Sequence, residues 1–265
     1  MSDFWILRPF SPVFLAMFAF FLLILIVGSL LLRRRSEQTR ANALIIACVV
    51  TLLGFIAYKY FLSIDAEFNI VTAEMGGFNW WGELPLQLCN INMILIPIAV
   101  WKRWRPLMSF NFFIGPLGAL MALVMPGLGF DGYSILLPRM LGYFGTHFMI
   151  LIEGLALVTL GLFRPTLRDL PRTVLTLFVI ALLVFGINML LRATGLYPQA
   201  NYFFSVETEG NPLLELFYRL IPYPFLYLLP SIAILVVYAG LITLVFTAVD
   251  RLKAKKGEPV AAGQN

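Results

Sequence analysis

Seven long apolar runs, at residues 12–32, 42–62, 84–101, 107–128, 140–163, 172–194 and 225–248, constrain this chain more than any other feature. A helix rises about 1.5 Å per residue, so about 20 residues cross a hydrocarbon core of about 30 Å. Runs of this length predict an all-α polytopic membrane bundle of about seven transmembrane helices. The composition agrees: 60% of the residues are hydrophobic and 12% charged, with a mean hydropathy of +0.89. Soluble domains carry roughly a quarter charged residues. No connecting segment exceeds about thirty residues, so a separate soluble domain has no room. Residues 1–256 are therefore expected to form a single transmembrane helical domain. The small, polar stretch 257–265 is expected to be a disordered cytoplasmic tail.

The basic residues alternate from loop to loop. Loops after the first, third, fifth and seventh runs carry Arg33, Arg34, Arg35, Arg40, Lys102, Arg103, Arg105, Arg164, Arg168, Arg172, Arg251, Lys253, Lys255 and Lys256, which are 14 of the 19 Lys and Arg residues. The opposite side holds Arg8, Arg139, Arg192 and Arg219, and Lys59 lies near the end of the second run. The positive-inside rule then predicts an outside N-terminus and a cytoplasmic C-terminus. Topology accounts for the net charge of +5 better than a nucleic-acid surface does, so no nucleic-acid partner is expected. Arg33-Arg34-Arg35 directly after the run from Pro12 to Leu32 marks a retained span, not a cleavable signal peptide.

The third run is unlike the others. Leu84 to Trp101 is long enough to be a helix across the bilayer, yet its first half carries Gln87, Cys89, Asn90 and Asn92. At about 100° per residue these side chains cover most of the circumference, so no rotation hides them all from lipid. The stretch reads as the central helix of the bundle. The fourth run contains Asn111, Gly115, Pro116, Gly118, Pro126 and Gly127, with Gly129 directly after it. These residues permit a kink or a re-entrant turn, and equally a close approach of neighbouring helices, which is the preferred reading.

Two outer-side loops look ordered. Ser63 to Glu83 is acidic and ends near Phe78-Asn79-Trp80-Trp81, which suits the headgroup level. In the second, Asn211 is a plausible cap with Pro212 at the first helical position. Glu215 can pair with Arg219, and Pro222-Tyr-Pro224 ends the turn. Together they predict a short helix lying in the interface.

Depth brings the candidate chemistry together. Cys89 lies about 7 Å and His147 about 10 Å below the outer edge of their respective runs. Cys48 lies in the opposite leaflet, beyond disulfide reach of Cys89. One histidine cannot build a multi-histidine metal site, so no metal is expected, and no nucleotide or CoA-phosphate motif suggests a cofactor. A thiol in apolar surroundings stays inert unless a base is at hand, and His147 is the only imidazole in the chain. Asn92 or Asn90 is placed to orient the imidazole or to donate to an oxyanion, with Gln87 as a third possible support. The alternatives are a small core cysteine and a histidine bonding a neighbouring helix, with the amides joining helices. Glu153 is deeper and on another face than His147. It can pair with Arg192 or Lys59, hold a proton, or face a wet cavity.

The stretch Leu84-Pro85-Leu86-Gln87-Leu88-Cys89-Asn90-Ile91-Asn92 resembles the Leu-Pro-Leu-x-x-Cys motif of the YwaF-like, or transmembrane protein 164, family of integral membrane proteins. Gly145-Thr146-His147 is similar to that family's second signature, and Asn201-Tyr202 to an Asn-Tyr pair before its last span. The order and the seven-span layout agree over nearly the whole chain; at the Gln87 position bacterial members often carry histidine. The resemblance implies acyl transfer, since vertebrate members are regarded as acyltransferases that remodel ether phospholipids with a cysteine–histidine pair. Those roles fall on Cys89 and His147. The expected protein is a multi-pass enzyme of a bacterial cytoplasmic membrane acting on a phospholipid or lysophospholipid. The alternative is a non-enzymatic small-solute transporter or receptor-like protein using the interrupted fourth run, Glu153 and Asn188. A thiol redox protein is disfavoured by the want of a second cysteine nearby.

Overall fold

A computed structural model describes residues 5–127 and 129–256, so the tail expected at 257–265 lies outside the described residues. The helices are α1 (Pro12–Leu32), α2 (Glu37–Ser63), α3 (Ala66–Val71), α4 (Asn92–Trp101), α5 (Arg105–Val124), α6 (Pro138–Thr159), α7 (Asp169–Ala193), α8 (Pro212–Leu220) and α9 (Leu229–Lys255). Six of them (α1, α2, α5, α6, α7 and α9) are long and apolar enough to cross a membrane, which makes the chain an all-α polytopic bundle. Local chemistry sets their starts. Ser11 and Ser36 accept from the backbone N–H groups of Phe14 and Thr39, and Pro12, Pro138 and Pro212 occupy first-turn positions.

Burial separates centre from periphery. In the most apolar windows of α5 and α6, 72% and 61% of residues are buried, against 6% in α1 and 17% in α9. The centre is thus the α5–α6 pair and not the stretch Leu84 to Trp101. The outer helices keep Leu23, Leu183, Val237 and similar side chains exposed, as a lipid-facing surface requires. Glycines set the closest approaches. A Cβ on Gly142 of α6 would fall 2.2 Å from Tyr58 Cβ of α2, and one on Gly154 would fall 2.6 Å from the Pro116 ring. Pro116 therefore sits inside a single helix running from Arg105 to Val124, its ring filling the space that Gly154 leaves. Gly115, Pro116 and Gly118 thus serve packing, whereas the helix ends at Val124, ahead of Pro126 and Gly127.

Ion pairs fix both ends. Arg105 donates two 2.8 Å bonds to the fully buried Asp169, and Arg164 pairs with Asp250. At the opposite end Arg139, 1% exposed, donates 2.7 Å bonds to Asp65 and Glu67, which ties the loop after α2 to the start of α6. Asp65 also caps α3 by accepting from Phe68 N at 2.9 Å. Beside them β1 (Ile6–Leu7) pairs antiparallel with β2 (Tyr133–Ser134), pinning the start of the chain to the α5–α6 loop. Asn211 caps α8 as its sequence predicts, although Glu215 accepts from Thr208 rather than pairing with Arg219.

Candidate active site

The stretch Leu84 to Trp101 is not one helix. Regular α-helix begins only at Asn92, and the preceding residues form tight turns, with Asn92 N donating to Cys89 O and Met93 N to Asn90 O at 3.1 Å. The reason lies in Asn92 itself. Its side-chain amide donates to the carbonyls of Leu88 at 2.9 Å and Cys89 at 3.1 Å, the groups a continuing helix would offer to main-chain N–H donors. Polar residues that no helix rotation could hide are thereby turned toward protein. Asn90 and Asn92 are buried, and Gln87 accepts from Phe203 N at 3.2 Å.

This loop brings Cys89 to α6. The Cys89 Sγ lies 3.4 Å from His147 Nε2, with the two residues 8% and 4% exposed. On its other side the imidazole Nδ1 lies 2.7 Å from the carbonyl oxygen of Tyr143, one turn earlier on α6. A carbonyl only accepts, so Nδ1 carries the hydrogen and Nε2 turns its lone pair to the thiol. The Tyr143 ring lies against the imidazole at a centroid distance of 4.4 Å, stacks on Phe130 at 4.3 Å, and donates its hydroxyl to Ala122 O at 3.0 Å. The thiol also lies 3.7 Å from Asn90 Oδ1. Gly118 of α5 closes the far side, where a Cβ would stand 3.4 Å from Cys89 Cβ. Such an arrangement can pass a proton from sulfur to nitrogen without moving a heavy atom.

Three anchors hold the loop. The Tyr202 hydroxyl accepts from Leu84 N at 3.1 Å and donates to Trp81 O at 2.5 Å. Burial pushes the Tyr202 phenol above its ordinary pKa, which keeps that donor protonated. Asn188 of α7 bonds both the N–H and the carbonyl of Tyr202, at 3.0 and 2.9 Å. Lys59 pairs with Glu83, the residue before the loop, and lies over the rings of Phe55 and Tyr58 at 5.2 and 4.6 Å.

Glu153 stands apart from this constellation. Its Oε1 accepts from Thr51 at 2.6 Å, while Lys59 is held by Glu83 and Arg192 by Glu207. Cys48 and Cys89 are both free thiols. Asn92 spends both amide hydrogens on loop carbonyls, so its place here is in shaping the loop. Sequence reasoning missed Tyr143 and the anchoring by Lys59. The first was signalled by its i−4 spacing from His147, which puts its carbonyl under the imidazole. Nothing in the sequence signals the second. Among the described residues, no group of three or more His, Cys, Asp or Glu side chains is arranged to hold a metal ion.

Comparison with known families then gives a match to the TMEM164 family model over residues 9–243. The chain belongs to the TMEM164 family. No curated protein and no solved structure matches it. The TMEM164 match begins ahead of α1 and ends within α9, and so takes in Cys89, His147 and the Tyr202 anchor.

Proposed function

We propose that this TMEM164 family member is a membrane-embedded phospholipid acyltransferase working through an acyl-thioester on Cys89. The observation that carries the reading is the 3.4 Å contact between Cys89 Sγ and His147 Nε2, with Nδ1 fixed by Tyr143 O. His147 takes the thiol proton, and the sulfur attacks the carbonyl carbon of a phospholipid ester. The ester C–O bond breaks, the leaving alkoxide takes the proton from His147, and a lysophospholipid departs. An acceptor hydroxyl then gives its proton to His147 and attacks the thioester, which restores the thiol. A lysophospholipid acceptor makes the reaction a transacylation; water makes it hydrolysis.

In this reading the protein sits in a bacterial cytoplasmic membrane, and the alternation of basic loops supports an outside N-terminus with the site toward the outer leaflet. A thiol buried among apolar side chains at lipid depth suits an acyl donor that never leaves the bilayer. The test is intact-protein mass spectrometry after incubation with phospholipid in nanodiscs. An acyl-mass adduct confined to the peptide holding Cys89, lost in Cys89→Ala and His147→Asn, is expected. Unmodified Cys89 together with undiminished lipid turnover in Cys89→Ala sinks the reading.

A further inference from the structure

The middle of the bundle holds polar groups that the Cys89–His147 site does not use. Among the described residues six buried side-chain nitrogen or oxygen atoms lack a hydrogen-bond partner, and four belong to Asn92, Asn111 and Glu153. These three residues are 0%, 0% and 2% exposed. Buried polar atoms are rarely left unmet, so a concentration of them in three neighbouring helices calls for a partner, water or another ligand.

The helices that carry them pack closely at this level. Thr51 of α2 donates to Glu153 Oε1, and Cys48, one turn before Thr51, lies beside the same carboxyl. Gly154, next to Glu153, packs so tightly on α5 that a Cβ there would stand 3.3 Å from the Asn111 carbonyl oxygen. One turn along α5, Gly115 leaves room for the Asn92 side chain, since a Cβ there would meet Asn92 Oδ1 at 2.9 Å. The amide nitrogen of Asn92 is already committed to the loop, which turns Oδ1 inward as an acceptor.

The chemistry of the set selects the ligand. Glu153 Oε2, Asn92 Oδ1 and Asn111 Oδ1 are hard oxygen acceptors, and the thiol of Cys48 is only a weak donor. No basic side chain pairs with the carboxylate, because Lys59, Arg139 and Arg192 are engaged elsewhere. A buried carboxyl that keeps its charge is paired or coordinates a cation, and one that does not holds a proton. A single carboxylate among neutral oxygens matches one positive charge, whereas calcium takes 6–8 oxygens, commonly including more than one carboxylate. We infer that Glu153, Asn111 and Asn92 form a monovalent cation site, of sodium size, in the middle of the α2–α4–α5–α6 bundle. Bound there, the ion cross-links α4, α5 and α6 below the loop that carries Cys89.

The test is thermal unfolding of the full chain in detergent or nanodiscs with sodium, potassium or choline chloride at constant ionic strength. A saturable rise in Tm with sodium, absent with choline, is expected, because a ligand that binds only the folded state stabilises it by mass action. Glu153→Gln is expected to abolish the sodium response, and Asn111→Ala to raise the half-saturating concentration by about tenfold. Should Glu153→Gln fail to fold, the wild-type response and Asn111→Ala decide. A wild-type Tm indifferent to the choice of cation overturns the proposal and assigns the site to water. Neither outcome depends on acyl transfer, which the mass-spectrometric test probes separately.

Discussion

The side-chain amide of Asn92 donates 3.1 Å to the carbonyl oxygen of Cys89, three residues earlier, and in doing so stops the helix short of the thiol. Asn92→Ala takes the side-chain donor from the carbonyls of both Leu88 and Cys89, of which Cys89 O keeps the Asn92 backbone N–H. Losing a buried donor that serves two acceptors costs about 1–3 kcal/mol, so Tm should fall. The turns before α4 should also lengthen into helix and change the exposure of Cys89. The measurement is alkylation by a membrane-permeant maleimide, with Cys48 as the internal reference thiol. Equal labelling ratios in wild type and variant count against this role.

The Lys59–Glu83 pair makes a second prediction. Glu83 directly precedes the loop and Lys59 is buried near the end of α2, with side-chain exposures of 23% and 8%. Lys59→Met leaves the carboxylate without its partner. Breaking fully buried pairs costs several kcal/mol, and the partial exposure of Glu83 reduces this to about 1–2 kcal/mol. A double-mutant cycle with Glu83→Gln should show positive coupling, the double variant being less destabilised than the sum of the singles. Additive losses rule out the tether.

The bundle was legible in the sequence because apolar length acts locally and strongly. The course of residues 84–91 was not. Periodicity reads Leu84 to Trp101 as one helix, since its outer half has enough apolar residues to continue the pattern. The deciding interactions are Asn92 folding back on Leu88 and Cys89, and Tyr202 reaching Leu84 across 118 residues. The depth argument placed Cys89 and His147 at one level, and the structure puts them in contact. It could not supply the orientation of the imidazole, which depends on a backbone carbonyl that every residue carries. Glu153 was visible as an oddity, but its neighbours on α2 and α5 come from helix packing that no spacing encodes.

Two glycines on the central helices should respond differently to the same change. A Cβ on Gly142 would lie 2.2 Å from Tyr58 Cβ, whereas one on Gly118 meets Cys89 at 3.4 Å, an ordinary contact. Gly142→Ala must push α2 from α6 and is expected to lose about 1–3 kcal/mol or more, as overpacked cores do. Gly118→Ala should keep Tm nearly unchanged. Thermal unfolding of the two variants side by side checks this, and equal losses contradict the packing described.

The last prediction concerns Tyr202, which reaches the loop from the segment between α7 and α8. Its hydroxyl accepts from Leu84 N and donates to Trp81 O, and Asn188 holds its own backbone from α7. The phenol thus joins the α7 side of the bundle to the first residue of the Cys89 loop, beside the apolar packing of Leu84. Tyr202→Phe keeps the ring in its buried place and removes only the oxygen, leaving the Leu84 N–H and the Trp81 carbonyl unmet. Two such groups cost about 1–3 kcal/mol between them if water reaches them poorly. The loss should fall locally, because the Tyr202 hydroxyl bonds only Leu84 and Trp81 and His147 lies on α6. Amide hydrogen exchange should therefore quicken at residues 81–91 while α5 and α6 stay protected. If acyl transfer depends on the 3.4 Å thiol–imidazole distance, turnover falls in the same variant although neither reacting residue has changed. Restoring the hydrogen bonds requires an oxygen at the para position, so no other hydrophobic residue should rescue the exchange rate. Uniform quickening across α5 and α6 instead means that Tyr202 supports the whole bundle and not the loop.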